Sequence, residues 1–294
     1  MTDAVAVAAA PLRRGMALRG LRQILGRRAL AVGLVLCAAF VAVALLADLI
    51  QIQAPERMRV RDAFTRPGAV YPFGADNLGR DVYSRVVHGA RVSLLIGGAT
   101  VALTAVAGTV AGCVAGYFRR WDEPLMRVMD ALMSFPVILL AVAITAALGP
   151  SAVNAVIALT AVYTPRTARI VRASVLVARE MEYVEAVRAV GAGHHRTLFV
   201  HVLPNCLTPL LVQLTFVFAY AVLAEAALSF LGMGPPPPTP TWGNVIAEGR
   251  DYLREAPWIC LFPGAAISLT VLGLNLLGDG LRDALDPRLP MDGD

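Results

Sequence analysis

The sequence predicts an all-α membrane protein with six transmembrane helices and a cytoplasmic N-terminus. The chain has 294 residues, of which 57% are hydrophobic and 16% are charged, whereas a soluble domain carries about 25% charged residues. The apolar residues gather in long uncharged runs, and the arginines gather beside those runs. These observations indicate that lipid, rather than water, surrounds most of the fold.

The uncharged runs are long enough to cross a bilayer, which takes about 20 mostly apolar residues. One run, 131–165, is too long for a single helix, and Gly149-Pro150-Ser151 interrupts it as a tight turn would. Counting that run as two helices makes six spans, drawn from the runs 29–47, 92–118, 131–165, 202–224 and 256–278.

A stripe of glycines marks the second predicted span. Gly108, Gly112 and Gly116 recur every four residues and therefore share one helix face. Such stripes let two helix backbones approach closely in lipid. We expect a helix-packing seam here.

The arginine distribution favours a cytoplasmic N-terminus. With that orientation the cytoplasmic segments hold 17 arginines and the outer segments 9, as the positive-inside rule requires. The outer segment 51–91 is arginine-rich, but it is long and also carries four acids. The run 29–47 exceeds the apolar region of a cleaved signal peptide, about 7–15 residues, so we interpret it as an uncleaved span after a basic tail, residues 1–28.

Residue usage excludes several kinds of site. All 26 basic residues are arginine, and a Walker A phosphate loop needs a lysine, so this chain cannot hold one. The sequence contains neither an HExxH zinc motif nor a GxSxG nucleophile elbow. The four cysteines lie in or beside apolar runs without CxxC spacing. We therefore predict no metal site and no cofactor.

The most informative segment is the cytoplasmic stretch 179–205. Small apolar residues and charged residues alternate there with helical periodicity, and Gly191 and Gly193 then end the predicted helix. A helix lying on the membrane would carry larger apolar residues, whereas this one has alanines, valines and three glutamates. The composition therefore favours docking against another protein.

This segment resembles the EAA loop of binding-protein-dependent ABC importer permeases, in the dipeptide/oligopeptide/nickel branch. Glu185-Ala186-Val187 stands at the EAA place, Gly191 follows at the family spacing, and Leu203-Pro204 closes the motif. Val187 and His201 depart from the common pattern, and the second departure is itself typical of the peptide branch. Similar branch motifs occupy residues 73–91, 225–232, 238–244 and 278–288.

The resemblance implies a type I ABC importer permease fold over residues 72–290, after residues 29–71, which hold the first span and the start of an extracytoplasmic loop. It implies a multi-pass subunit of the bacterial cytoplasmic membrane that moves di- or oligopeptides and carries no catalytic site. Its expected partners are a second permease subunit, two ATP-binding subunits, a solute-binding protein and lipid, without nucleic acid. The ATPase-coupling residues would be Glu185, Ala186, Gly191, Leu203 and Pro204.

Three polar residues near the outer side have open roles. Arg80 and Asp81 could pair structurally or line an outer gate. Glu225 lies near the outer end of the fifth span, where an acid marks a candidate functional site. It could contact substrate, but the favoured interpretation is a contact with a neighbouring helix or loop, for which an arginine such as Arg80 or Arg85 is one candidate partner.

Other functions remain as alternatives. The same class of importer could carry nickel chelates or another small solute. An intramembrane enzyme would need a paired nucleophile and base or metal ligands within the spans, and the four histidines fall in loops or at a span edge. A membrane scaffold without transport would have no need of a coupling loop.

Overall fold

The computed structural model describes residues 28–285, and it is all-helical. Helices make up 77% of the structure, with no β-strand in the described range. The basic tail expected at 1–28 lies outside that range except for its last residue, and so do residues 286–290 at the end of the expected permease domain. Eleven α-helices are described, with bounds α1 Arg28–Leu45, α2 Ala47–Ile50, α3 Val82–Tyr117, α4 Arg119–Met133, α5 Val137–Leu148, α6 Ala152–Arg179, α7 Glu182–Ala189, α8 His194–Arg196, α9 Leu203–Phe230, α10 Trp242–Gly249 and α11 Trp258–Leu285.

Three helical stretches are long and apolar enough to cross a membrane. They are Val82–Tyr117, His194–Phe230 and Trp258–Leu285, and the bent pair α4 and α5 would make a fourth if it forms one span. The apolar helix α1 falls just short in length, and α6 is long but carries four arginines. Among the described residues, three helices, or four if the bent pair forms one span, thus have the length and composition of membrane-crossing helices.

The uncharged run 131–165 is divided differently from the prediction. Helix α4 is amphipathic and ends at Met133, and α5 begins only at Val137, with a bend of 92° between them. Pro136 precedes α5, and a proline drives the residue before it out of the helical conformation. The expected turn at Gly149-Pro150-Ser151 is confirmed, because α5 ends at Leu148 and the Ser151 hydroxyl accepts a hydrogen bond from the Asn154 amide at the start of α6.

The predicted glycine seam joins α3 to α6. A Cβ atom at Gly112 would lie 2.6 Å from the Ala168 carbonyl oxygen and 2.6 Å from the Val171 Cβ atom. Gly108 and Gly116 approach α6 as closely, one turn away on either side. Absent side chains therefore let α3 lie directly on the backbone of α6.

The buried residues form three clusters along the length of the bundle. One packs α1, α3, α9, α10 and α11 around Trp242 and Trp258. The second packs α3, α5, α6 and α9 around Leu159. The third joins α3, α6, α7 and α9 around Val184. Helices α3 and α9 run through all three clusters.

We expect Gly112→Ala to destabilise the bundle. The added methyl group would overlap Ala168 and Val171, and overpacking of this kind costs about 1–3 kcal/mol. Gly98→Ala is the matched control on the same helix, because a Cβ there meets no atom within 4 Å. Thermal unfolding of the detergent-solubilised protein checks this, and equal melting temperatures for the two variants would contradict the seam.

Candidate functional site

The segment 179–205 forms a short helix, a tight turn and a re-entry into the bundle. Helix α7 ends at Ala189, and the Ala192 amide donates to the Val187 carbonyl oxygen at 3.2 Å. Gly191 has φ +87°, a left-handed conformation that glycine adopts without steric cost. The predicted helix-ending role of Gly191 is therefore confirmed by the backbone.

The chain then enters α9 through a π-helical stretch. Residues Thr197–Val202 are π-helical, and α9 begins at Leu203 with Pro204 in its first turn. Proline suits that place because the first amides of a helix have no intrahelical acceptor. Segments of π-helix are often found at functional sites. Leu203 and Pro204 thus mark the start of a long helix that continues the segment into the membrane.

One side chain anchors α7 to the bundle. Val184 is fully buried, in the cluster that also contains Tyr117 of α3, Val171 of α6, Val202 of the π-helical stretch and Cys206 of α9. A rigid displacement of α7 must therefore act on three long helices through the packing around Val184.

Hydrogen bonds reinforce the contact that Val184 makes with the bundle. The Tyr183 hydroxyl donates to the His201 carbonyl oxygen at 3.0 Å and accepts from the Asn205 amide nitrogen at 2.8 Å. These bonds tie α7 to the π-helical stretch and to the first turn of α9.

The same segment also contacts the C-terminal end of α3. The Tyr117 hydroxyl lies 3.1 Å from His194 Nδ1, and the Arg188 guanidinium lies 5.4 Å from the centre of the Tyr117 ring. Arg179 donates to the Gly116 carbonyl oxygen at 2.8 Å. The C-terminal end of α3 therefore contacts the segment 179–205 through both Tyr117 and Gly116.

The opposite side of α7 is exposed. Glu185 and Ala186 lie on the surface, as does Val190, which is 84% exposed. The helix thus combines one buried contact point with a free face that carries a carboxylate and a small residue. This arrangement is suited to receive a protein partner and to pass its displacement into the bundle.

A second polar site lies at the other end of α3. Arg85 Nη1 lies 2.8 Å from both Asp76 Oδ2 and Glu248 Oε2. Arg80 pairs with Asp76 at 2.6 Å and also with Glu248. Asp76 is completely buried and Arg85 is 2% exposed. We call these four residues the outer charge cluster.

The outer charge cluster joins parts of the chain that are far apart in sequence. Asp76 and Arg80 lie in the loop before α3, Arg85 lies in its first turns, and Glu248 lies in α10. Two arginines and two acids balance each other, which a buried group of charges requires. The cluster therefore holds α10 against the first turns of α3.

Asp81 has a different role from Arg80. Its carboxylate accepts hydrogen bonds from the Ser84 amide at 3.1 Å and from the Ser84 hydroxyl at 2.6 Å. It is the N-cap residue of α3, and N-cap aspartates satisfy amides that have no helical acceptor. The two neighbours therefore do not pair with each other.

Glu225 pairs with neither Arg80 nor Arg85, so the two candidate arginine partners are wrong. Its side chain is fully buried in α9 and accepts a hydrogen bond from the Ser229 hydroxyl at 2.7 Å. Both arginines are instead directed at Asp76 and Glu248. The sequence could not reveal this choice, because several acids were within plausible reach.

Sequence reasoning missed the residues that complete both sites. Val184 is one valine among several, and only its packing distinguishes it. Glu248 is 163 residues from Arg85, so no local pattern relates them. Trp242 is fully buried and donates its indole N–H to the Val86 carbonyl oxygen at 2.9 Å, which fixes α10 beside the cluster.

The sequence matches a known protein family. Residues 106–290 match the family described as binding-protein-dependent transport system inner membrane component, and the chain belongs to that family. The match includes the whole segment 179–205 and α9. The chain is accordingly a permease subunit of an ABC transporter in the inner membrane, and it is not an enzyme.

Several curated relatives are similar over most of their length. The chain is 55% identical over 272 residues, 92% of either chain, to the "Putative peptide transport system permease protein" of Brucella suis biovar 1 (strain 1330). It is 44% identical to the dipeptide transport system permease protein DppC of Alkalihalophilus pseudofirmus, over 88% of this chain and 85% of the relative. It is 50% identical to the di/tripeptide transport system permease protein DppC of Pseudomonas aeruginosa, over 75% and 73%.

We expect Arg85→Met to destabilise the protein strongly. The change keeps the bulk of the side chain but leaves the buried Asp76 short of a counter-charge, and breaking such a pair costs about 3–5 kcal/mol. Glu123→Gln is the control, because its pair with Arg127 is exposed and pairs of that kind contribute about 0–1 kcal/mol. The measurement is the midpoint of thermal unfolding in detergent, where a small shift for Arg85→Met would show that the cluster does not hold α10.

Proposed function

We propose that this chain is the permease subunit of an ATP-driven importer of di- or oligopeptides, driven through segment 179–205 by partner ATPases. The observation that carries the proposal is the geometry of α7, which is anchored through Val184 and free on the side of Glu185 and Ala186. The peptide substrate is taken from the names of the relatives. Nickel chelates or another small solute are the alternative cargo for the same machinery.

We propose a six-span topology with a cytoplasmic N-terminus. The three apolar helices make up three of the spans, and α1, the bent α5 and the arginine-rich α6 make up the other three. Helix α3 supports this arrangement by its length of 36 residues, or roughly 54 Å at the α-helical rise. That length exceeds the whole bilayer of about 40–45 Å, so the outer charge cluster and segment 179–205, at its two ends, belong on opposite sides.

The coupling step follows from the anchor. In this proposal an ATPase holds the exposed side of α7 in a surface cleft and displaces it when nucleotide binding closes the ATPase pair. The displacement reaches α3, α6 and α9 through Val184 and through Tyr183 and Asn205. Because packed interiors move as rigid bodies rather than deforming, the helices tilt together and alternate access across the membrane.

The proposed assembly has four kinds of contact. A second homologous permease subunit completes the pathway, and two ATP-binding subunits dock on the cytoplasmic side. A solute-binding protein delivers cargo to the outer loops near α10. Lipid surrounds the remaining faces. Apolar side chains on the outside of α3 and α9 are exposed in the isolated chain and are suited to contact lipid. They include Leu95, Val106, Leu211 and Leu223.

Arg80, Asp81 and Glu225 are proposed to be structural rather than to contact cargo. Arg80 and Asp81 fix the entrance of α3, and Glu225 is enclosed within α9 and its neighbours. An outer gate formed by Arg80 would need its two acidic partners to release it in each cycle. The burial of all three residues favours a fixed support beneath the surface that the solute-binding protein meets.

The topology is checked by thiol labelling in whole cells. With the native cysteines replaced by alanine, single cysteines are placed at Val190 and at Arg254, both of which are exposed. An impermeant maleimide should label Arg254→Cys in intact cells and Val190→Cys only after the membrane is opened. The reverse labelling pattern would overturn the proposed orientation.

The coupling role is checked with Gly191→Asp. A side chain at φ +87° costs on the order of 1 kcal/mol, and no atom lies within 4 Å of the added Cβ, so the protein should persist in the membrane. The carboxylate would enter the ATPase cleft unpaired, at a cost of several kcal/mol. We therefore expect loss of ATPase co-purification and of labelled dipeptide uptake, with unchanged membrane abundance.

Two control variants isolate the cause. Gly149→Asp makes the same substitution at φ +90°, also in open space, but in the turn at the other end of α6, and it should keep uptake. Arg196→Ala removes an exposed charge near α7 and should have little effect. Normal uptake and ATPase binding by Gly191→Asp would refute the docking role, while uptake of a nickel chelate in place of dipeptide would favour the alternative cargo.

A further inference from the structure

A cavity of about 480 Å³ opens between α6, α9 and α11 near their cytoplasmic ends. It is lined by Arg166 and Ile170 of α6, by Thr208, Pro209, Val212, Gln213 and Phe216 of α9, and by Arg282 and Leu285 of α11. Its volume falls within the range of roughly 300–1,000 Å³ typical of small-ligand sites. Its walls are mostly apolar, and its polar groups are two arginines, one threonine and one glutamine.

Arg166 differs from the other arginines of α6. Arg169 pairs with Asp130, Arg172 with Asp122 and Arg179 with Glu180. Arg166 forms no ion pair with any described residue, and neither does Arg282 across the cavity. Two exposed guanidinium groups therefore line one cavity whose walls, among residues 28–285, include no carboxylate, an arrangement that suits an anion.

Gln213 is the second, independent observation. It lies in the apolar stretch of α9, is 7% exposed and lines the cavity. Its carboxamide makes no hydrogen bond within the described part of the chain, and its polar atoms remain accessible from the cavity. Its exposed fraction opens to the cavity, so a polar ligand there would satisfy it.

We infer that this cavity binds the terminal carboxylate and the adjoining peptide group of the transported peptide before release to the cytoplasm. Arg166 and Arg282 bind the carboxylate, and Gln213 donates to and accepts from the peptide group. An amide presents both a donor and an acceptor, which complements a peptide unit, whereas a phosphate headgroup offers only acceptors to Gln213. The inference rests on the proposed peptide import.

The position of the cavity suits a release site. Beside it α9 and α11 pack closely, because a Cβ at Gly278 of α11 would lie 2.5 Å from the Thr215 hydroxyl oxygen of α9. One wall belongs to α9, which continues directly from segment 179–205 as the single stretch His194–Phe230. A displacement of α7 that tilts α6 and α9 together would move Arg166 and Gln213 relative to Arg282 of α11 and so loosen the bound peptide.

Equilibrium binding tests the inference. The complete permease and ATPase complex is placed in nanodiscs of neutral phosphatidylcholine, without solute-binding protein, and titrated with radiolabelled dialanine and with dialanine amide. For the wild type we expect dialanine to bind at least about tenfold more tightly than its amide, because charge-assisted hydrogen bonds to the carboxylate are lost. The double variant R166Q/R282Q should bind both compounds equally and weakly.

Two further variants complete the test. Gln213→Leu should weaken binding of dialanine and of its amide by similar factors, because both keep the peptide group. Arg196→Gln, an exposed arginine outside the cavity, should bind like the wild type. Equal affinity of the wild type for dialanine and its amide, or unchanged binding by R166Q/R282Q, would overturn the inference.

Controls on lipid and on uptake identify the failing step. If R166Q/R282Q changes binding only in nanodiscs that contain an anionic phospholipid, the arginines bind lipid and the inference is wrong. If the complete wild-type importer takes up labelled dialanine while the cavity variants bind it normally, the cavity assignment alone fails. If the wild-type importer takes up no dialanine, the proposed peptide import fails, and this inference fails with it.

Discussion

The close contact of α3 with α6 is the constraint on which the rest of the structure depends. Gly108, Gly112 and Gly116 remove the side chains between these helices, so the backbone of α3 lies on the side chains and carbonyl groups of α6. In lipid such packing supplies much of the force that holds helices together, because apolar side chains gain little by leaving a bilayer. The seam fixes the position of α3 against α6. The two ends of α3 then each contact one of the two sites.

Each end of α3 meets a site of different character. The N-terminal end is enclosed by the outer charge cluster, where Arg85 is shared by Asp76 and Glu248. The C-terminal end lies against segment 179–205 through Tyr117. The first site is rigid, because its buried charges tolerate no separation. The second has one buried anchor and an exposed face. Helix α3 thus joins a buried, charge-paired site at one end to a partly exposed segment at the other.

The arrangement of charges separates structural from functional groups. Arg80, Arg85, Arg169 and Arg172 all have carboxylate partners, and each of these pairs joins two elements or closes one loop. Arg166 lacks such a partner within the described residues and lies at a cavity. Several other arginines among the described residues also lack an ion pair, so it is the position of Arg166 at the cavity, with Arg282 and Gln213, that suits a ligand.

The sequence by itself determined the all-helical class, the glycine seam, the turn at Gly191 and the family resemblance of segment 179–205. These features follow from local rules, such as apolar run length, four-residue spacing and the conformational freedom of glycine. Only the tertiary structure decided which charges meet. Arg80 and Arg85 were candidate partners for Glu225, but both bind Glu248, which is 163 residues from Arg85. Helix α10, held by Trp242, places Glu248 there. Ion-pair partners, buried anchors such as Val184 and cavity walls depend on how distant helices pack, and no periodicity along the chain encodes that distance.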